Sequence, residues 1–119
     1  MSRGIRTKMT NKEGMLAMWS WIMWCIIHEQ DTRHSVRQKK AQWFSRHKQR
    51  FGWYHECWLC SRYEYCRDCP LKGCNPEGSA YQKVCGYMNY SFNKTKEEKA
   101  RALEGCREIL RAIEQEEEK

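Results

Sequence analysis

The chain has 119 residues, 40% of them hydrophobic, and carries 22 Lys and Arg against 15 Asp and Glu, a formal charge of +7. This length excludes a multidomain architecture and predicts one domain, which hides roughly 65% of its unfolded surface in a modest core that a metal could usefully reinforce. The charge is unevenly placed: residues 1–93 hold 15 basic against 7 acidic side chains and residues 94–119 hold 7 against 8, so the basic surface precedes the C-terminal segment.

Thr10-x-x-Glu13 is a capping box, in which hydroxyl and carboxylate satisfy orphan amides at a helix start. Met15, Trp19, Ile22 and Ile26 then recur at helical spacing, predicting a Trp-rich first helix over about 11–30. Its other side carries Met18, Trp21, Trp24 and Cys25, so it is apolar nearly all round and belongs at the centre of the fold. Any face that the small domain cannot enclose becomes a partner surface.

Arg3, Arg6, Lys8 and Lys12 ahead of the apolar run 15–27 superficially resemble the start of a signal peptide. Glu13 interrupts the basic region, however, and no small-x-small cleavage site follows. Thirteen residues make about 20 Å of helix, short of the roughly 30 Å a membrane span must cross. The expected location is the cytoplasm of a host cell, where thiols stay reduced.

A basic second helix is predicted over about 32–50, with Val36, Lys40, Trp43 or Phe44, and His47 along one side. Arg33, Arg37, Lys39, Lys40, Arg46, Lys48 and Arg50 dominate the remainder. Such a face is either simply solvated or a contact surface for phosphate or acidic protein, with Arg37, Lys40, Arg46 and Lys48 the candidate partner-binding residues.

Residues 51–92 hold six of the eight cysteines and both prolines, with Gly73, Asn75, Pro76, Gly78 and Ser79 breaking up regular structure. Loops and short hairpins are expected there. Cys57-x2-Cys60-x5-Cys66-x2-Cys69 supplies two tight turns that each aim a pair of sulfurs at one point, the donor set of a tetrahedral zinc ion. Zinc is therefore the expected cofactor, held by Cys57, Cys60, Cys66 and Cys69, with Cys74 as a substitute for Cys66 and His55 as a further candidate ligand. The alternatives are a disulfide framework, an iron–sulfur cluster or a thioredoxin-like redox pair. Four thiolates close the coordination sphere and leave no site for a nucleophilic water, so such a zinc stabilises the fold instead of catalysing a reaction. It also adds a net −2, bringing the effective charge nearer +5.

Thr95-x-x-Glu98 is a second capping box and opens a C-terminal helix over about 94–118 through Leu103, Cys106, Ile109 or Leu110, and Ile113. Glu116, Glu117 and Glu118 place negative charge at the negative end of the helix dipole, so the last turn should fray. Cys25 and Cys106 read as small core residues and Cys85 as a buried thiol. The expected fold is thus mainly α, in a single domain 1–119: a helical part over 11–50, a zinc-stapled module over 51–92, and a terminal helix. His28, His34, His47 and His55 lack an acid or nucleophile at motif spacing, and no Gly-rich phosphate loop occurs, so no enzymatic activity is expected.

The run Cys57-Trp58-Leu59-Cys60, then Cys66-Arg67-Asp68-Cys69-Pro70-Leu71, then Cys74, resembles a pattern in small phage and prophage zinc-binding accessory proteins. The Trp19-Ser20-Trp21 helix is similar to theirs as well. The resemblance spans about residues 15–115, with the cysteine block its specific part and a shorter gap between the two pairs. It implies a non-enzymatic inhibitor of bacterial defence, such as an anti-CRISPR protein that binds an effector nuclease. Excess Trp, Tyr and Arg suits such a protein-binding surface. The other expectation is a zinc-stabilised nucleic-acid-binding module using the helix over 33–50, with Trp43, Phe44, Trp53 or Tyr54 as stacking residues and Gln38 and Gln42 as its clear polar readers.

Overall fold

The computed structural model describes residues 10–47, 69, 71, 78–89 and 94–116, and these are mainly helical. In chain order they form α1 (Asn11–Ile27), α2 (Val36–Arg46), α3 (Ala80–Tyr87) and α4 (Lys96–Gln115).

Both expected capping boxes are formed. Thr10 Oγ1 accepts the Glu13 amide at 3.1 Å while the Glu13 carboxylate accepts the Thr10 amide at 2.8 Å. Thr95 and Glu98 repeat the exchange at 3.0 and 2.8 Å. A third box, Ser35 with Gln38, starts α2 at Val36, four residues after the expected position 32, and α2 ends at Arg46, before the expected 50.

The first helix stops at Ile27 because the chain there closes a Schellman motif. The Glu29 amide donates to Ile26 O and the Gln30 amide to Cys25 O, satisfying carbonyls the helix leaves open. The motif needs a left-handed residue after the cap, and Glu29 takes it at φ 53 where glycine is usual. Asp31, also at φ 53, continues the reversal into α2.

The region expected to hold loops and short hairpins contains a helix, α3, and no strand occurs among the described residues. Ser79 caps α3 by accepting the Gln82 amide. Eight residues are too few for a helix to persist by local bonding, so packing against α4 must supply its stability. At the contact, Gly105 of α4 lies so close to α3 that a Cβ there would stand 2.5 Å from the Ala80 carbonyl oxygen.

The helix α4 is the organiser, packing against both α3 and α1. Its buried Ala102, Cys106, Ile109 and Ile113 meet Met15, Trp19, Ile22 and Ile26 of α1 and Val84 and Tyr87 of α3 in one core. The helices α1 and α4 run antiparallel and cap each other reciprocally. Lys12 Nζ donates to the carbonyls of Glu114 and Glu116 at 2.8 and 2.7 Å, supplying the cation that the last turn of α4 lacks. At the other end Lys99 Nζ donates to Ile27 O at 3.3 Å and pairs with Glu29 at 2.9 Å.

Candidate metal centre and basic face

Of the candidate ligands, Cys57, Cys60, Cys66, Cys74 and His55 lie outside the described residues, and Cys69 lies within them. Its side chain is buried in the main core, and the Leu71 amide approaches its sulfur at 3.5 Å. An N–H aimed at the sulfur from two residues ahead is the kind of additional hydrogen bond that steadies a metal-ligating side chain. This local geometry fits a zinc-ligating cysteine. Among the described residues no group of three or more His, Cys, Asp or Glu side chains converges on a point.

Burial pushes Cys106 up to about 12 and also raises Cys85, which a hydrogen bond with Tyr81 partly opposes. Cys25 and Cys106 are buried as expected, whereas Cys85 is only half-buried. Tyr87 is likewise raised by burial. Lys83 is raised chiefly by its hydrogen bond to Glu104 and then by that to Glu108, at 2.7 and 2.8 Å. In all four groups the folded state keeps a proton that the unfolded chain releases sooner, so stability is full below the unfolded pKa values and declines as pH rises past them. Burial lowers Lys94 and acts in the opposite sense, as does the lowering of Glu104 by its hydrogen bond with Lys83, which is felt only at acid pH. The melting temperature is therefore expected to fall from about pH 8.5 to 11, where unfolded Cys and then Tyr ionise. Cys106→Ala should flatten that slope, and a melting temperature independent of pH over this range would contradict the assignment.

The basic residues of α2 do not form one surface. Arg37 and Lys40 lie about 60° apart on the helix, while Arg46 is about half a turn from Arg37. Arg37 is exposed and Lys40 partly so. The Arg46 guanidinium sits 5.3 Å from the Trp21 ring centre, turned towards α1. Lys48 lies outside the described residues. Lys39, read from sequence as part of the solvated face, is fully buried. Its ammonium makes no hydrogen bond and is held 4.8 Å over Trp21 and 3.8 Å from Asp31. The signal was present, because Val36, Lys39 and Trp43 follow the i, i+3, i+7 spacing of a buried stripe.

The proposed stacking residues are also placed inward. Trp43 and Phe44 are buried, and Trp43 stacks on the His47 ring with centres 3.8 Å apart. Neither indole nor phenyl offers an open face for a nucleotide base. Trp53 and Tyr54 lie outside the described residues.

A cleft of about 390 Å³ opens between Leu71, the start of α3 and the last turns of α4. Gly78, Ser79, Glu108 and Arg111 line it, but the Ser79 oxygen is used as the α3 cap and Glu108 is held by Lys83. No described helix is long and apolar enough to cross a membrane. Compared with protein-family models, curated proteins and solved structures, the chain matches none of them.

Proposed function

We propose that this chain is a zinc-stapled protein that acts by stoichiometric binding to a protein of bacterial defence, such as a CRISPR effector nuclease. The observation that carries the choice of protein over nucleic acid is the burial of Trp43 and Phe44, which removes the described base-stacking platform from the basic helix. What remains outward is Arg37 with Lys40 beside it, and Arg46 on the other side of the helix, small positive patches suited to an acidic protein surface. The phage-like cysteine block supports a defence target, and the amide directed at Cys69 supports thiolate ligation of zinc.

The test is a pull-down from host lysate with and without nuclease treatment, followed by an effector-cleavage assay at increasing ratios of this chain. Inhibition should saturate near one equivalent, and Arg37→Glu with Lys40→Glu should weaken it roughly tenfold without lowering the melting temperature. Loss of the captured protein on nuclease treatment, with binding to bare nucleic acid that falls steeply with salt, would establish the nucleic-acid reading instead.

A further inference from the structure

His47 closes α2 as its C-cap, and three contacts fix its ring. The backbone amide donates to Phe44 O at 3.2 Å, Nδ1 stands 2.7 Å from Trp43 O, and the imidazole lies on the Trp43 indole with ring centres 3.8 Å apart at 26°. A carbonyl oxygen can only accept, so Nδ1 carries the proton and the lone pair of the neutral ring is left on Nε2. Trp43 is itself buried in the core, which makes the surface under the ring a fixed one. Capping the helix uses Nδ1 alone, and Nε2 meets no hydrogen-bond partner among the described residues.

Proteins present histidine to a metal in this way. One ring nitrogen donates to a backbone carbonyl, which sets the tautomer and the ring orientation and makes the other nitrogen a better ligand. The other described histidines are held differently. His28 is tilted against the exposed Trp24 with ring centres 4.6 Å apart, and Nδ1 of His34 is buried with no hydrogen-bond partner.

We infer that His47 Nε2 is a ligand of the zinc ion, completing a set of one histidine and three cysteines with Cys69 among them. The inference rests on the zinc reading proposed above and changes its fourth ligand. Spacing supports the change. Sites built from two Cys-x2-Cys turns usually part the pairs by about 15–20 residues, whereas five residues part Cys60 from Cys66. So short a link hinders both turns from closing on one ion and leaves a coordination position to a side chain from elsewhere. The backbone at His47 is extended, φ −113 and ψ 131, and leads out of α2 into the segment that reaches Cys57 ten residues later. Cys69 is buried in the same core as Trp43, so both ligands rest on the helical body. Three thiolates and an imidazole are also a closed structural set, and their net charge with zinc is about −1 instead of −2, which costs less beside an apolar core.

Zinc K-edge X-ray absorption of the full-length protein loaded with one equivalent should fit one imidazole nitrogen and three sulfurs. In competition with a chelator, His47→Gln should hold zinc at least about 100-fold more weakly, as expected for losing one of four ligands. His47→Cys should recover most of that affinity, because a thiolate can ligate zinc although it neither stacks on Trp43 as the imidazole does nor reproduces its cap. A role confined to capping α2 would leave the two variants equally weak, and that result would overturn the inference. Four sulfurs at the zinc, or unaltered affinity in His47→Gln, would overturn it and leave the zinc reading standing. An imidazole signal that persists in His47→Gln would assign the position to another histidine and overturn it as well. A full-length protein that binds no zinc would overturn both readings.

Discussion

Cys69→Ser is expected to release zinc and unfold much of the chain. If Cys69 is a ligand in the proposed zinc site, its loss forfeits a large share of a binding energy that runs to about 10–16 kcal/mol for structural zinc. That exceeds what a domain of this size usually has in reserve, since net stabilities are about 5–15 kcal/mol. A zinc held there would be coupled to the helical core, because Cys69 is itself buried in that core and Leu71 packs against it. A serine there also places a hydroxyl in an apolar pocket, so Cys69→Ala separates the two effects. Truncating an ordinary buried thiol to alanine costs only about 1–2 kcal/mol. Metal content and thermal unfolding by circular dichroism should therefore show Cys69→Ala and Cys60→Ser both depleted of zinc and severely destabilised, with Cys106→Ala still binding one equivalent. A folded Cys69→Ala protein with full zinc content would remove Cys69 from the ligand set.

Gly105→Ala is expected to destabilise the chain by about 1–3 kcal/mol, the usual cost of overpacking a close contact. On an isolated helix the same change would stabilise by up to about 1 kcal/mol, because glycine is a poor helix former. Tertiary contact reverses the sign. The added methyl would stand 2.5 Å from the Ala80 carbonyl oxygen and 3.1 Å from Lys83 Cβ and Val84 Cγ2. The closest of these is backbone and cannot rotate away, so α3 must move off α4. That movement would also stretch the Lys83 bridges to Glu104 and Glu108, which tie the two helices at their exposed edge. Urea unfolding of Gly105→Ala should show a lower midpoint, whereas Gly86→Ala, whose added methyl meets nothing within 4 Å, should not. An equal or higher midpoint for Gly105→Ala would mean that the contact is looser than described.

The sequence by itself determined what depends on neighbours three or four residues apart. The starts of α1 and α4 follow from Thr10 with Glu13 and Thr95 with Glu98, because each box closes between residues three apart and needs nothing else. The buried stripe of α4 through Cys106, Ile109 and Ile113 was legible for a related reason, since helical periodicity already sorts its residues into faces. The same signal lay in Ser35 and Gln38, and it marks the start of α2 more accurately than the charge run does. Only the tertiary structure decided matters that join distant parts of the chain. The eight-residue α3 exists where turn residues abound because Gly105 admits it against α4. Lys12 and Lys99 cap helix ends 102 and 72 residues away. Lys39 is buried beneath Trp21, and Trp43 and Phe44 turn inward, so the basic helix contributes packing as well as charge. Trp24 and Ile27 are left outside for the converse reason. An all-apolar helix does not encode which of its faces its neighbours will cover, and that choice belongs to α4, which buries the side bearing Ile22 and Ile26.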